Sequence, residues 1–224
     1  SDVCSSDLGR WQGSTGRELK GKTLAVVGCG PIGFRVAAIA ARGFGMRVVG
    51  CKRTPGGVEP LCRAHGFTTV TTDFSAAARE ADYVSLHIPS GPATRHYLGT
   101  GRLAELAPRA WLVNTARGAV VDEGALYDAL HAGRLAGAAL DVFAREPYEP
   151  AAPGKDLRTL PNVILTPHVG SSTQEACRRM AERALRNLAL AGAGRHAEMD
   201  LLNRPALPPV QAPDDGDPRG STSP

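Results

Sequence analysis

Long apolar runs are missing from this sequence. Glycines, prolines and charges interrupt every one before it reaches the ~20 residues that a membrane helix needs. Runs of like charge are missing too: 26 Lys and Arg against 22 Asp and Glu leave a scattered net charge of +4. That balance excludes the basic stripe of a nucleic-acid binder, so neither nucleic acid nor membrane is an expected partner. The five cysteines form no CxxC pair, which argues against a disulfide framework and against a zinc site, so no metal is expected. A reducing cytoplasm is the expected home. No charged and apolar signal segment opens the chain, and Ser1–Leu8 is polar and patternless. Residues 1–9 are expected to be a non-native or disordered leader, set aside from the fold.

What is present suits a globular domain. A chain of 224 residues, 42% hydrophobic, can bury one full core. Apolar, β-branched runs at Thr23–Val27, Met46–Gly50, Tyr83–Ile88, Ala110–Asn114, Gly137–Val142 and Asn162–Thr166 predict strands. Between them, helices are predicted from Ile32 to Arg42, Val58 to His65, Phe74 to Glu80 and Gly101 to Leu106. A further helix, capped by Asp122, runs to His131, with Gly133 as its stop. Continuous apolar strands alternating with helices imply an α/β fold: a Rossmann-type, doubly wound, mostly parallel sheet covered on both faces. A dinucleotide-binding domain over residues 10–170 follows. A longer helix from Ser171 to Leu190 comes next, and residues 204–224, rich in Pro, Asp, Gly and Ser, are expected to be a disordered tail.

The segment Gly28-Cys29-Gly30-Pro31-Ile32-Gly33 has a predicted strand before it and a helix after it. In that context Gly28 permits the tight turn, Gly30 lets backbone approach a pyrophosphate, and Gly33 lets helix and strand pack closely. The helix start then offers free N–H groups to phosphate. Cys29 reads as a small packing residue. The acid that usually binds the ribose 2′-hydroxyl about 20 residues on is replaced here by Lys52 and Arg53. Two cations there favour a 2′-phosphate, so the cofactor is NAD(P) with a leaning to NADP; a solvated basic turn that accepts NAD stays open.

Three later segments carry chemistry: Asn114-Thr115-Ala116-Arg117-Gly118, then Asp141 to Glu146-Pro147, then Thr166-Pro167-His168-Val169-Gly170. Each follows a predicted strand, and loops at strand C-termini gather in one crevice. Arg117 offers a planar fork for a carboxylate and a carbonyl oxygen. His168 can give a proton to a developing alkoxide, and Glu146 beside it would hold the imidazole in its proper tautomer. His65, His96, His131 and His196 lack such settings and read as surface or structural residues.

In this order the segments resemble the D-isomer-specific 2-hydroxyacid dehydrogenase family, from about Gly9 to Asn203. The resemblance implies an oxidoreductase moving hydride between a nicotinamide cofactor and a 2-oxoacid or D-2-hydroxyacid. Arg117 would bind the substrate carboxylate, His168 would be the acid–base group, and Glu146 would tune it. Pro31 and Ile32 would lie against the pyrophosphate, and His87, Pro89 and Thr94 on the adenosine and ribose side. Thr115, Ala116 and Asp141 would approach the nicotinamide, with Gly170 allowing close backbone approach. The resemblance also implies a homodimer, and a second, substrate-binding lobe ahead of the cofactor domain. Residues 171–203 would return toward that lobe. The chain is expected to lack it, and so to bind cofactor but turn over little substrate by itself. Two other readings share the fold: a dinucleotide-sensing, protein-binding module resembling corepressors, and a formate dehydrogenase, which has Gln where this chain has Glu146.

Overall fold

The computed structural model describes residues 16–201, so the expected leader and tail lie outside the described residues. The chain divides after Gly170 into two compact units. In the first, β1 (Thr23–Val27) leads through the glycine turn into α1 (Pro31–Phe44) and back to β2 (Arg47–Cys51). Then come α2 (Val58–His65), β3 (Thr69–Thr71), α3 (Phe74–Ala78) and β4 (Tyr83–Leu86). The unit ends with α4 (Thr100–Ala104), β5 (Trp111–Asn114), α5 (Glu123–His131), β6 (Gly137–Leu140) and β7 (Val163–Leu165). The second unit holds α6 (Gln174–Gly192), whose N-cap is Thr173, accepting from the Ala176 N–H at 3.1 Å.

All seven strands lie in one sheet of order β3-β2-β1-β4-β5-β6-β7, each neighbouring pair parallel. The order reverses between β1 and β4, which is the doubly wound arrangement with its switch point there. One face of the sheet packs Leu24, Val26 and Val48 against Ala37 and Ala40 of α1. The other packs Val27, Val84, Leu86 and Leu112 against Phe74, Leu126 and Leu130 from the later helices. Coverage is uneven. Val113 and Ala139 are half-buried and Ile164 is 50% exposed, although all three belong to one register row on the same face.

Local chemistry explains the element ends. Asp73 caps α3 by accepting from the Ser75 N–H at 2.9 Å, and Asp122 caps α5 by accepting from the Ala125 N–H at 3.0 Å. Gly133, at φ 67°, follows α5 as its stop. The strand β3 departs from expectation: three residues are too few to display a period, and pairing with β2 alone makes them a strand.

At the N-terminal edge of the sheet, Asp82 ties β1 to β4. It accepts from the Thr23 N–H at 2.9 Å and from Arg109 Nε at 3.1 Å, with Lys22 at 4.0 Å. Burial pushes this carboxyl up, but the Thr23 amide and the Arg109 and Lys22 charges outweigh it and hold it below the usual range. A depressed carboxylate stabilises the fold above its unfolded value near ~3.9 and loses that contribution as pH falls through the lower folded value. Asp82→Asn should therefore cost about 1–2 kcal/mol in urea unfolding at pH 7, and less at pH 3. An equal loss at both pH values would refute this assignment.

A second tight approach lies at the opposite edge. A Cβ on Gly118 would overlap the Phe143 carbonyl and the Ala144 nitrogen, so the turn after β5 and the loop after β6 touch backbone to backbone. Gly118→Ala should cost about 2 kcal/mol or more, with the Ala144 amide resonance displaced. A loss below about 0.5 kcal/mol would show the approach to be looser than described.

Candidate active site

The parallel register sets Val27, Leu86, Asn114, Leu140 and Leu165 in one row at the C-terminal ends of their strands. The residue runs singled out in the sequence leave from that row, so they emerge along one edge of the sheet.

The glycine turn has the shape the sequence predicts. Gly28 sits at φ 106°, and a Cβ there would overlap the His87 carbonyl, so β1 and β4 close on each other at the switch point. A Cβ on Gly33 would overlap the Gly28 carbonyl, which lets α1 start hard against the turn. Around Gly30 nothing lies within 4 Å of the Cβ position. Pro31 opens α1, and the first intrahelical bond is Phe34 N–H to Gly30 O at 2.8 Å. The Ile32 and Gly33 amides belong to the first turn and have no helical carbonyl to bond. An open cradle of this kind, at a helix N-terminus, fits the pyrophosphate of a dinucleotide. Burial pushes the Cys29 thiol up to about 11, in keeping with a packing role.

Beyond β2, Arg53 is exposed and Lys52 half-buried, its ammonium donating to the Gly56 carbonyl. His87 is half-buried, its Nε2 2.9 Å from Ser85 Oγ, and burial pushes its imidazole down. Pro89 is exposed; its carbonyl accepts from the Thr94 hydroxyl at 2.6 Å, so Thr94 closes the turn it follows. Thr115 is exposed and Ala116 half-buried.

Glu146 and His168 are brought together. Glu146 Oε2 lies 2.8 Å from His168 Nδ1 across 22 positions of sequence. An ionised carboxylate only accepts, so Nδ1 carries the hydrogen and Nε2 is left for other work. The other oxygen, Oε1, accepts from the Phe143 N–H at 3.0 Å. The bond to His168, helped by the Phe143 amide, holds the Glu146 carboxyl below the usual range. A cavity of about 580 Å³ opens beside the pair, walled by Phe143, Pro147, Tyr148, Leu165 and Pro167. Arg117 is exposed on the turn after β5 and donates to the Ala116 carbonyl at 2.5 Å; among the described residues neither Glu146 nor His168 pairs with it.

Asp141 turns out to be a fastener. Its carboxylate accepts from Thr166 Oγ1 at 2.6 Å, Val169 N–H at 2.9 Å and Gly170 N–H at 2.9 Å, pinning the loop of His168 to the end of β6. Burial pushes this carboxyl up, but those three donors and the nearby His168 bring it below the usual range. The grip holds His168 at φ 54°, a left-handed conformation costly to a non-glycine residue. Sequence reasoning missed Asn114. It is buried, receives the Ala116 N–H at 3.0 Å and donates to the Arg117 carbonyl at 3.1 Å, which shapes the turn carrying Arg117. An amide side chain ending a strand beside an Ala-Arg-Gly turn was the available signal. Of the other histidines, His65 stacks on Phe34, His131 stacks on Tyr127 and His96 lies 3.8 Å from Asp122.

Residues 5–170 match the family described as "D-isomer specific 2-hydroxyacid dehydrogenase, NAD binding domain". The glyoxylate reductase of Thermococcus litoralis is 42% identical over 194 residues, which are 86% of this chain and 55% of that protein. The D-3-phosphoglycerate dehydrogenase of Methanocaldococcus jannaschii is 39% identical over 86% of this chain and 35% of its own length. Among solved structures, a glyoxylate reductase from Paecilomyes thermophila superposes with a TM-score of 0.74 at 34% identity, covering 84% of this chain and 55% of that one. The chain thus spans about half the length of the first of these relatives, or less. It belongs to the D-isomer specific 2-hydroxyacid dehydrogenase family, whose NAD binding domain it carries.

Proposed function

We propose that this chain supplies the cofactor site and the proton-handling pair of an oxidoreductase that interconverts a 2-oxoacid and a D-2-hydroxyacid. The observation that carries the reading is the Glu146–His168 contact, on the sheet edge where the glycine turn emerges and beside a cavity with largely apolar walls. In this reading Gly28, Gly30, Pro31, Ile32 and Gly33 hold the pyrophosphate. His87, Pro89 and Thr94 flank the adenosine and ribose, and Thr115, Ala116 and Gly170 flank the nicotinamide, with Asp141 fixing the backbone of that last loop. The cofactor, when bound, supplies the hydride. Arg117 swings from the Ala116 carbonyl to grip the substrate carboxylate, a bidentate task its fork suits. His168, its Nδ1–H committed to Glu146, delivers a proton from Nε2 to the oxygen of the reduced carbonyl. Glu146 compensates the charge on the imidazole while it is protonated. A sensor of dinucleotide would have no use for that pair. The substrate is a small 2-oxoacid, the working state is a homodimer, and the setting is a reducing cytoplasm.

Titration of the chain with NADH, followed by fluorescence, should give saturable binding, and Gly30→Val should weaken it by about tenfold or more. On the full product of the gene, His168→Gln should lower kcat/KM for 2-oxoacid reduction by about 10² to 10⁴ while leaving cofactor affinity within about threefold. Undiminished reduction by that variant would remove His168 from the chemistry.

Lys52 and Arg53 support a preference for NADP(H), since two cations beyond β2 can meet a 2′-phosphate and stand where an acid would bind the ribose 2′-hydroxyl. NADPH should bind the chain more tightly than NADH, and Lys52→Glu should narrow or reverse the ratio by about tenfold, ~1.4 kcal/mol. A clear preference of the unsubstituted chain for NADH would refute the assignment.

A further inference from the structure

One buried carboxylate has no task in the reading above. Glu123 opens α5 and is only 7% exposed. An acid in a first helical turn gains from the helix dipole while standing in water; burying it adds a cost that an apolar residue there would not carry. Its partner explains the placement. Glu123 Oε1 accepts from the Ala144 N–H at 2.6 Å, across 21 positions of sequence. Ala144 lies in the loop after β6, and its neighbour Phe143 is the residue whose amide donates to Glu146 Oε1 at 3.0 Å. The peptide joining Phe143 to Ala144 also rests against Gly118, where a side chain would not fit. The loop is thus pressed from one direction and latched by a carboxylate.

We propose that Glu123 is a positioning residue: by holding the Ala144 N–H it fixes the Phe143–Ala144 peptide, so that the Phe143 amide keeps Glu146 aimed at His168. This rests on the reading of Glu146 and His168 as the proton-handling pair, but it concerns the geometry of that pair and needs neither cofactor nor substrate to be seen. Around Glu123 stand His96, Asp122 and Tyr148, with Arg145, Glu149 and Lys155 lining the same cleft; around Glu146 stand His168 and Asp141, with Tyr148 and Arg158 lining its cavity. Burial pushes the Glu123 carboxyl up, and the Ala144 amide and His96 recover part of the rise.

The test is a carbon-13 NMR titration of the Glu146 side-chain carboxyl in the labelled chain. Glu123→Ala and Glu123→Asp, which delete or retract the latch, should raise the Glu146 midpoint by about 0.5 pH unit or more. Glu123→Gln keeps an acceptor oxygen and should hold the midpoint within about 0.2 unit of the unsubstituted chain. A folded Ala or Asp variant with an unmoved midpoint overturns the proposal, as does a Gln variant that shifts as far as Ala. Should both shortened variants fail to fold, amide exchange in the unsubstituted chain decides. Protection of the Ala144 N–H by about tenfold or more supports the latch, and exchange at the rate of an open amide overturns it. Failure of NADH to bind would sink the functional reading above and leave this titration interpretable.

Discussion

Parallel register is the constraint on which the rest of this molecule depends. Because each strand pairs in parallel with its neighbour, Val27, Leu86, Asn114, Leu140 and Leu165 finish in one row. The turns that follow them have no choice of edge. A slip by one residue in any pair would move core side chains to the opposite face, into packing shaped for other residues, so the fit of Val27, Leu86, Leu112 and Leu140 in their cluster also guards the alignment of the loops. The chemistry is gathered by the hydrophobic effect acting on residues that take no part in it.

Within that edge the loops are held by one device used repeatedly: a carboxylate or amide side chain receives the backbone N–H groups of an irregular segment. Asp141 does this for Val169 and Gly170, Asn114 for Ala116, Glu146 for Phe143 and Glu123 for Ala144. Amides that would otherwise need water are satisfied by side chains, and since Asn114, Asp141 and Glu123 stand at or beside the end of a strand or the start of a helix, irregular segments inherit the rigidity of regular ones. Arg117 contrasts with them. Its guanidinium is exposed on the turn that Asn114 shapes, so its backbone is fixed while its reach stays free.

Much of this was legible in the sequence because the signals were local. Asp73 and Asp122 stood where a cap belongs, the glycines stood between a strand and a helix, and the apolar runs had strand length. The short β3 escaped because Thr69, Val70 and Thr71 acquire their strand character from β2 alone. Glu123 escaped for a related reason: beside Asp122 it looked like an ordinary acid of a first helical turn, and its partner lies in a distant loop. Asp141 was expected beside the nicotinamide from the resemblance, and its bonds to Thr166, Val169 and Gly170 were not readable from spacing. Spacing along the chain reveals which residues share an edge. It does not reveal which backbone amides their side chains will meet.

The junction between β1 and β4 also governs how the polypeptide comes together. Thr23 and Asp82 meet across 59 positions, and bringing such distant points together costs about 3–4 kcal/mol of loop entropy before any pairing offsets it. The phosphate turn needs that meeting, because the His87 carbonyl forms one wall beside Gly28. During synthesis, β1, α1 and β2 can emerge and associate while the cradle is still open on one flank. Only when β4 has docked beside β1 is that wall in place, so the shape of the turn waits on a pairing made across the centre of the sheet.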